Sequence, residues 1–210
     1  MLYFLTNHLI SMKQNWDQRF SAEGYIYGEL PNVFLKEQLM GLPAGKILFP
    51  GEGEGRNAVW AALQGWQVEA VDYSEAGKEK ALALAQRMGT ELVAYHIEDL
   101  NLFEPLHEHY DAIAMIFVHL AAAERQQLHR KLIAALKPGG TFLLEAFSKK
   151  QLAFNSGGPK DEAMLYDVAM LRDDFSALRI HLLEEQTGLL DEGTHHRGEA
   201  STLKMLAMKP

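Results

Sequence analysis

The 210-residue chain contains no cysteine. That absence excludes disulfides, thiolate metal ligands and cysteine nucleophiles, and it suits a reducing, cytoplasmic setting. Basic residues are scarce, with 20 Lys and Arg against 28 Asp and Glu, for a net charge of -8. Nucleic-acid binding needs clustered Lys and Arg to neutralise phosphates, so a small molecule is the expected partner and nucleic acid is not. No apolar run is long and unbroken enough to span a bilayer, and no membrane partner is expected. Met1 to Ile10 are fairly apolar but lack the basic flank and small-residue cleavage site of a signal peptide. They read as part of a loose extension over 1–15, with Met12 an equally good start. Repeats and low-complexity segments are missing too, so 16–210 reads as one domain. Oligomeric state is not readable.

The most informative stretch is Lys46-Ile-Leu-Phe-Pro-Gly51-Glu-Gly53-Glu-Gly55-Arg-Asn57. A short apolar run enters three glycines at alternate positions, and Ala58 to Leu63 then has helical character. This predicts a strand, a tight loop and the first turn of a helix, with free N–H groups at the helix start facing a nucleotide-like ligand on the loop. Further strands are expected at Gln67–Asp72, Glu91–Tyr95, Tyr110–Phe117 and Thr141–Phe147. Helices are expected at Glu75–Arg87 and Ala123–Leu136, the latter stopping at Lys137-Pro-Gly-Gly140. Such alternation implies a parallel sheet with helices on both faces. Lys149 to Lys160 reads as a loop and Asp161–Phe175 as a helix. Leu178–Glu184 and Ser201–Met208 form a hairpin around Asp191-Glu-Gly193, so one strand runs antiparallel to the rest.

A dinucleotide fingerprint needs glycine at its first, third and sixth positions, and the sixth position here is Arg56. Three other features coincide with the loop. Asp72 closes the second strand, where a carboxylate can take two ribose hydroxyls. Asp99-Leu100 follows the third strand, and Lys137-Pro-Gly-Gly140 precedes the fifth.

Together these residues resemble the class I S-adenosylmethionine-dependent methyltransferases, from about Trp16 to the end. The resemblance implies a doubly wound, mostly parallel seven-stranded α/β sheet with an antiparallel C-terminal edge hairpin. It implies S-adenosylmethionine as cofactor and S-adenosylhomocysteine as product. Gly51, Gly53 and Gly55, with Asn57, would hold the methionine and ribose end. Asp72 would bind the ribose, Tyr73 would lie against the adenine, and Ser74 is a further cofactor-binding candidate. Asp99 and Leu100 would meet the adenine, and Phe117 and Val118 the sulfonium. Phe49 stands where the family usually carries an acid, two residues before the first glycine, and Glu52 or Glu54 are candidate replacements. A narrower resemblance lies in Trp16-Asp-Gln-Arg19-Phe20, Tyr27-Gly28, Pro31-Asn32, Gly55-Arg56-Asn57 and Phe117-Val118-His119-Leu120. These look like the tellurite-resistance methyltransferases and, more remotely, the thiopurine methyltransferases. The implied cap over the cofactor spans 16–40.

A sulfonium is an activated donor, so the protein mainly aligns the acceptor and excludes water. A soft S, Se or Te nucleophile needs little help from a base; an alcohol needs one. His119, after the fourth strand, is the candidate base or acceptor-positioning residue. Phe20, Tyr25, Tyr27, Phe147, His195, His196 and Arg197 are candidate acceptor-site residues. His107 and His109 sit two apart without a third ligand, so no metal site is expected. Two alternatives stay open: a nucleotide-binding regulatory module without catalysis, and a nicotinamide-dependent oxidoreductase.

Overall fold

The computed structural model describes residues 14–210, so residues 1–13, most of the expected extension, lie outside the described residues. Residues 14–20 are helical (α1), followed by α2 (Val33–Leu39), β1 (Lys46–Pro50) and α3 (Arg56–Leu63). Next come β2 (Gln67–Asp72), α4 (Glu75–Met88), β3 (Ala94–Ile97), β4 (Tyr110–Ile116) and α5 (Ala122–Ala135). The chain ends with β5 (Leu136–Phe147), α6 (Val168–Asp174), β6 (Arg179–Asp191) and β7 (Arg197–Met208).

The seven strands form one sheet in the order β3-β2-β1-β4-β5-β7-β6. Strands β1 to β5 pair in parallel, and β7 runs antiparallel between β5 and β6. Alternate residues of each strand feed opposite faces, as the two-residue strand period requires. On one face Leu48, Val71, Ile113 and Met115 pack with Leu128 and Leu132 of α5 and with Leu171 of α6. On the other, Ile47, Phe49, Val68 and Ala112 pack with Leu35 of α2, Ala58 of α3 and Ala81 of α4. Each fully buried large aliphatic or aromatic side chain contributes about 1.5–3 kcal/mol, so both layers are needed. Phe49 is 1% exposed within this second cluster, which is why an apolar residue fits there.

Local signals set the helix ends. Ser74 caps α4 by accepting from the Gly77 N–H at 3.0 Å, and Gly89 ends it in the left-handed region. Asn32 caps α2 through the Leu35 N–H at 2.8 Å.

The expected doubly wound sheet with helices on both faces and an antiparallel strand near one edge is what the chain forms. Several boundaries move. The third strand starts at Ala94 rather than Glu91. Lys137-Pro-Gly-Gly140 lies within β5, where the register shifts between Tyr110 and Ala112. The expected helix over Asp161–Phe175 breaks into a single turn at Glu162–Met164, an extended stretch and α6. The break has a cause: Tyr166 bridges Ser148 as a strand partner and its buried hydroxyl donates to the Val118 carbonyl at 3.2 Å. The C-terminal hairpin is longer than the apolar runs indicate, because most of β6 faces solvent and carries no alternating pattern.

Candidate active site

Strand order reverses between β1 and β4, and open α/β sheets bind ligands outside the strand carboxyl ends at such a switch point. A cleft of about 320 Å³ lies there, floored by Gly51 and Gly53 and walled by Asp72, Tyr73, Leu100, Phe117, Val118 and Phe147. Trp16, Phe20 and Tyr27 cover it from the N-terminal segment.

The glycine loop is shaped for close approach. Gly51, Gly53 and Gly55 all have positive φ. Gly55 caps α3, and a Cβ there would overlap Ala81 of α4. It therefore sets the contact between two helices, and it is not among the residues lining the cleft. Asp72 is 7% exposed. Its carboxylate accepts from the Ser74 N–H at 2.9 Å and the Gly53 N–H at 3.1 Å, joining the end of β2 to the loop. Burial pushes its carboxyl up to about 6, against those two hydrogen bonds. A carboxylate in that state gains from further donors, and a ribose diol supplies two.

Glu52 corrects one expectation. Its carboxylate accepts from the Asn57 N–H at 2.9 Å and the Ala58 N–H at 2.7 Å, so these helix-start donors are already taken. Burial pushes Glu52 up to about 7, against the Ala58 amide. It lines the cleft. Glu54 lines the cleft as well. It accepts from the Ile26 N–H at 2.9 Å and pairs with Lys80 at 2.9 Å, which clamps the N-terminal segment onto the loop.

The remaining cofactor candidates divide. Asn57 lines the cleft, and its side-chain oxygen accepts from the Asn32 N–H at 2.9 Å. Ser74 is fully buried as a helix cap and donates to Asp17 at 2.5 Å. Asp99 accepts from the Asn101 N–H at 2.9 Å and shapes the turn that presents Leu100; it does not itself line the cleft. Phe117 has φ of 55°, a left-handed conformation rare for a bulky side chain. Such strain concentrates at functional sites. It faces the Phe147 ring at 4.7 Å.

His119 lines the cleft, but neither ring nitrogen is available. Nδ1 lies 3.0 Å from the Met164 carbonyl, and Nε2 accepts from the Phe147 N–H at 3.3 Å. Burial pushes its pKa down to about 4. It is therefore a neutral strut tying β4 to β5 and to the 162–164 turn, and the role of base does not fit it.

Of the other acceptor-site candidates, Phe20, Tyr27, Phe147 and His196 line the cleft. Tyr25, His195 and Arg197 do not: the Tyr25 hydroxyl donates to the Lys80 carbonyl, and Arg197 is exposed beside Asp191. His195 donates its backbone N–H to the Ile26 carbonyl at 3.3 Å. His109 faces Lys46 and Glu69, and among the described residues no group of three or more His, Cys, Asp or Glu could hold a metal.

Sequence reasoning missed a buried polar network beside the cleft. Glu192, in the β6–β7 turn, accepts from Arg56 at 2.7 Å and from Asn32 at 3.0 Å. Asn32 also donates to Glu145 at 2.8 Å. Burial would raise Glu192, but His196 and Arg56 outweigh it and hold the carboxyl at about 2. The polar run after Asp191 hints at a turn; only the fold brings that turn to the glycine loop. Gly193 allows it, with φ of 78° and no room for a Cβ against the Ile26–Gly28 backbone.

Residues 47–140 match the family model described as a methyltransferase domain. A curated relative, hemagglutinin 1 of Eikenella corrodens, is 29% identical over 186 residues, or 84% of this chain. The chain spans 58% of that protein's length. Among solved structures, one from work on converting a disulfide bond into a thioacetal group in echinomycin biosynthesis has a TM-score of 0.76 at 16% identity. It is matched over 94% of this chain and 91% of that one. TehB from Haemophilus influenzae has a TM-score of 0.70 at 18% identity, over 94% and 67% of the two chains. The N-methyltransferase NodS from Bradyrhizobium japonicum WM9, in complex with S-adenosyl-l-homocysteine, has a TM-score of 0.70 at 13% identity, over 94% and 98%. Gly51, Asp72, Leu100, Phe117 and Val118 of the cleft fall within the matched residues 47–140, and the likeness to these solved structures is one of fold.

Proposed function

We propose that this chain transfers a methyl group from S-adenosylmethionine to a small, soft nucleophile bound between the glycine loop and the aromatic wall. The observation that carries this reading is the buried Asp72 carboxylate beside a bare glycine main chain at the sheet's switch point. Asp72 would hold the ribose, Gly51 and Gly53 the methionine end, and Tyr73 and Leu100 the base. Phe117 and Val118 would flank the sulfonium. When bound, the cofactor supplies an activated methyl group. The chain's own residues orient the acceptor and keep water out, which is where most of the rate arises in such a displacement. Aromatic rings dominate the wall, and they favour a polarisable acceptor over a strongly hydrated one. This supports an S, Se or Te nucleophile of the kind the tellurite-resistance and thiopurine resemblance suggests.

The nicotinamide reading is disfavoured by Arg56, which occupies the third-glycine position and is committed to Glu192. Calorimetric titration with S-adenosylmethionine, followed by detection of S-adenosylhomocysteine on adding thiols, selenite or tellurite, tests the proposal. Binding with turnover supports it. Binding without product across the panel would favour a regulatory module.

A further inference from the structure

Two histidines line the cleft among the described residues, and they differ in what their rings are already doing. His119 has both nitrogens on backbone groups. His196 has its Nδ1 buried without a hydrogen-bond partner. Its setting is built rather than incidental. The Glu192 N–H donates to the His196 carbonyl at 2.9 Å and closes the turn. That closure leaves a Glu192 carboxylate oxygen 4.0 Å from His196 Nδ1. The carboxylate cannot swing away, since Arg56 and Asn32 hold it. A ring nitrogen facing a fixed carboxylate carries the proton, so the lone pair of the neutral ring falls on Nε2. Contacts of this kind are often long before ligands bind and tighten afterwards.

The surroundings of the ring narrow the acceptor. Tyr27 and Phe117 lie 4.5 Å from it, centroid to centroid, and Phe147 lies at 5.2 Å. Sulfur packs favourably against aromatic rings, whereas a hydroxyl placed there would give up hydration. Acidity argues the same way. A thiol with a pKa of about 8.5 lies within reach of a neutral imidazole, and an alcohol does not.

We propose that the methyl acceptor is a small neutral thiol, and that His196, oriented by Glu192, removes its proton. This rests on the methyl-transfer reading of the cleft. His196 Nε2 takes the S–H proton, and the freed pair on sulfur forms the new S–CH3 bond. The old bond to the methyl carbon breaks, its electron pair staying on the departing sulfur. The proton then passes from His196 to solvent.

The test compares two probe thiols at neutral pH: benzyl mercaptan, which is mostly protonated, and 4-nitrothiophenol, which is ionised. Calorimetry with S-adenosylhomocysteine identifies folded, cofactor-competent protein. Failure of the wild type to bind would remove the underlying methyl-transfer reading and not this step alone. In the wild type both thiols are methylated. In His196→Gln, or His196→Asn if the first does not fold, the ratio of kcat/KM for benzyl mercaptan to that for 4-nitrothiophenol falls about 100-fold, the usual scale of general-base catalysis. Equal losses on both thiols would make His196 structural and overturn the proposal. So would a wild type that binds cofactor and methylates neither.

Discussion

Asp72 and Glu52 are the residues whose charge the site must manage. Both are buried carboxyls held above their ordinary range, at about 6 and about 7. Between the ordinary carboxyl range and those values the folded protein holds protons that the unfolded chain has released. The cofactor-free protein therefore loses stability as pH rises through that window, and thermal unfolding between pH 4 and about pH 7 checks the sign. Cofactor affinity runs the other way. It falls as pH drops through about 6, since a protonated Asp72 accepts fewer hydrogen bonds. Asp72→Ala is expected to weaken S-adenosylmethionine binding by about 1–3 kcal/mol, and unchanged affinity would mean the ribose lies elsewhere. His119 makes a contrasting case. His119→Leu leaves the Met164 carbonyl and Phe147 N–H unpaired in a buried setting, so a stability loss of about 1–3 kcal/mol is expected in denaturant unfolding. That Asp72 belongs in the cleft was legible from its place at a strand end. Which histidine keeps a usable nitrogen was not, because the answer depends on a carbonyl 45 residues away.

Between elements, several contacts hold the N-terminal cap over the cleft, and two of them centre on its Ile26–Gly28 backbone. Glu54 receives the Ile26 and Tyr27 N–H groups, and Gly193 lets the β6–β7 turn press against the same backbone. Glu54→Ala should loosen residues 14–32, read as faster limited proteolysis there, with about 1–3 kcal/mol lost. Gly193→Ala should cost about 1–3 kcal/mol from its left-handed φ and the backbone overlap. If neither variant alters cleavage or unfolding, the cap is held by its aromatic packing instead. The apolar runs at Ile47–Phe49, Gln67–Asp72 and Tyr110–Phe117 made the parallel strands readable, since buried strands have little else to encode. The meeting of cap and hairpin was unreadable: it joins backbone groups far apart in the chain, and such contacts carry no local pattern.

Across the whole molecule, one sheet brings β1, β2 and β4 to a common edge, and the cap and hairpin close over it. No helix among the described residues is long and apolar enough to cross a membrane. The alternation of strand and helix and the late hairpin made this architecture legible. The polar cluster of Asn32, Arg56, Glu145 and Glu192 was not, because a buried charge network looks in sequence like scattered surface residues. A ligand that fills the cleft binds only the folded chain, so saturating cofactor should raise stability by about 2.7 kcal/mol at a hundred times its Kd. The most direct measurement is calorimetric titration of S-adenosylmethionine into the wild type and Asp72→Ala in parallel. The expected result is one saturable site in the wild type and markedly weaker binding in the variant. A folded wild type that takes up no S-adenosylmethionine at millimolar concentration would contradict the account.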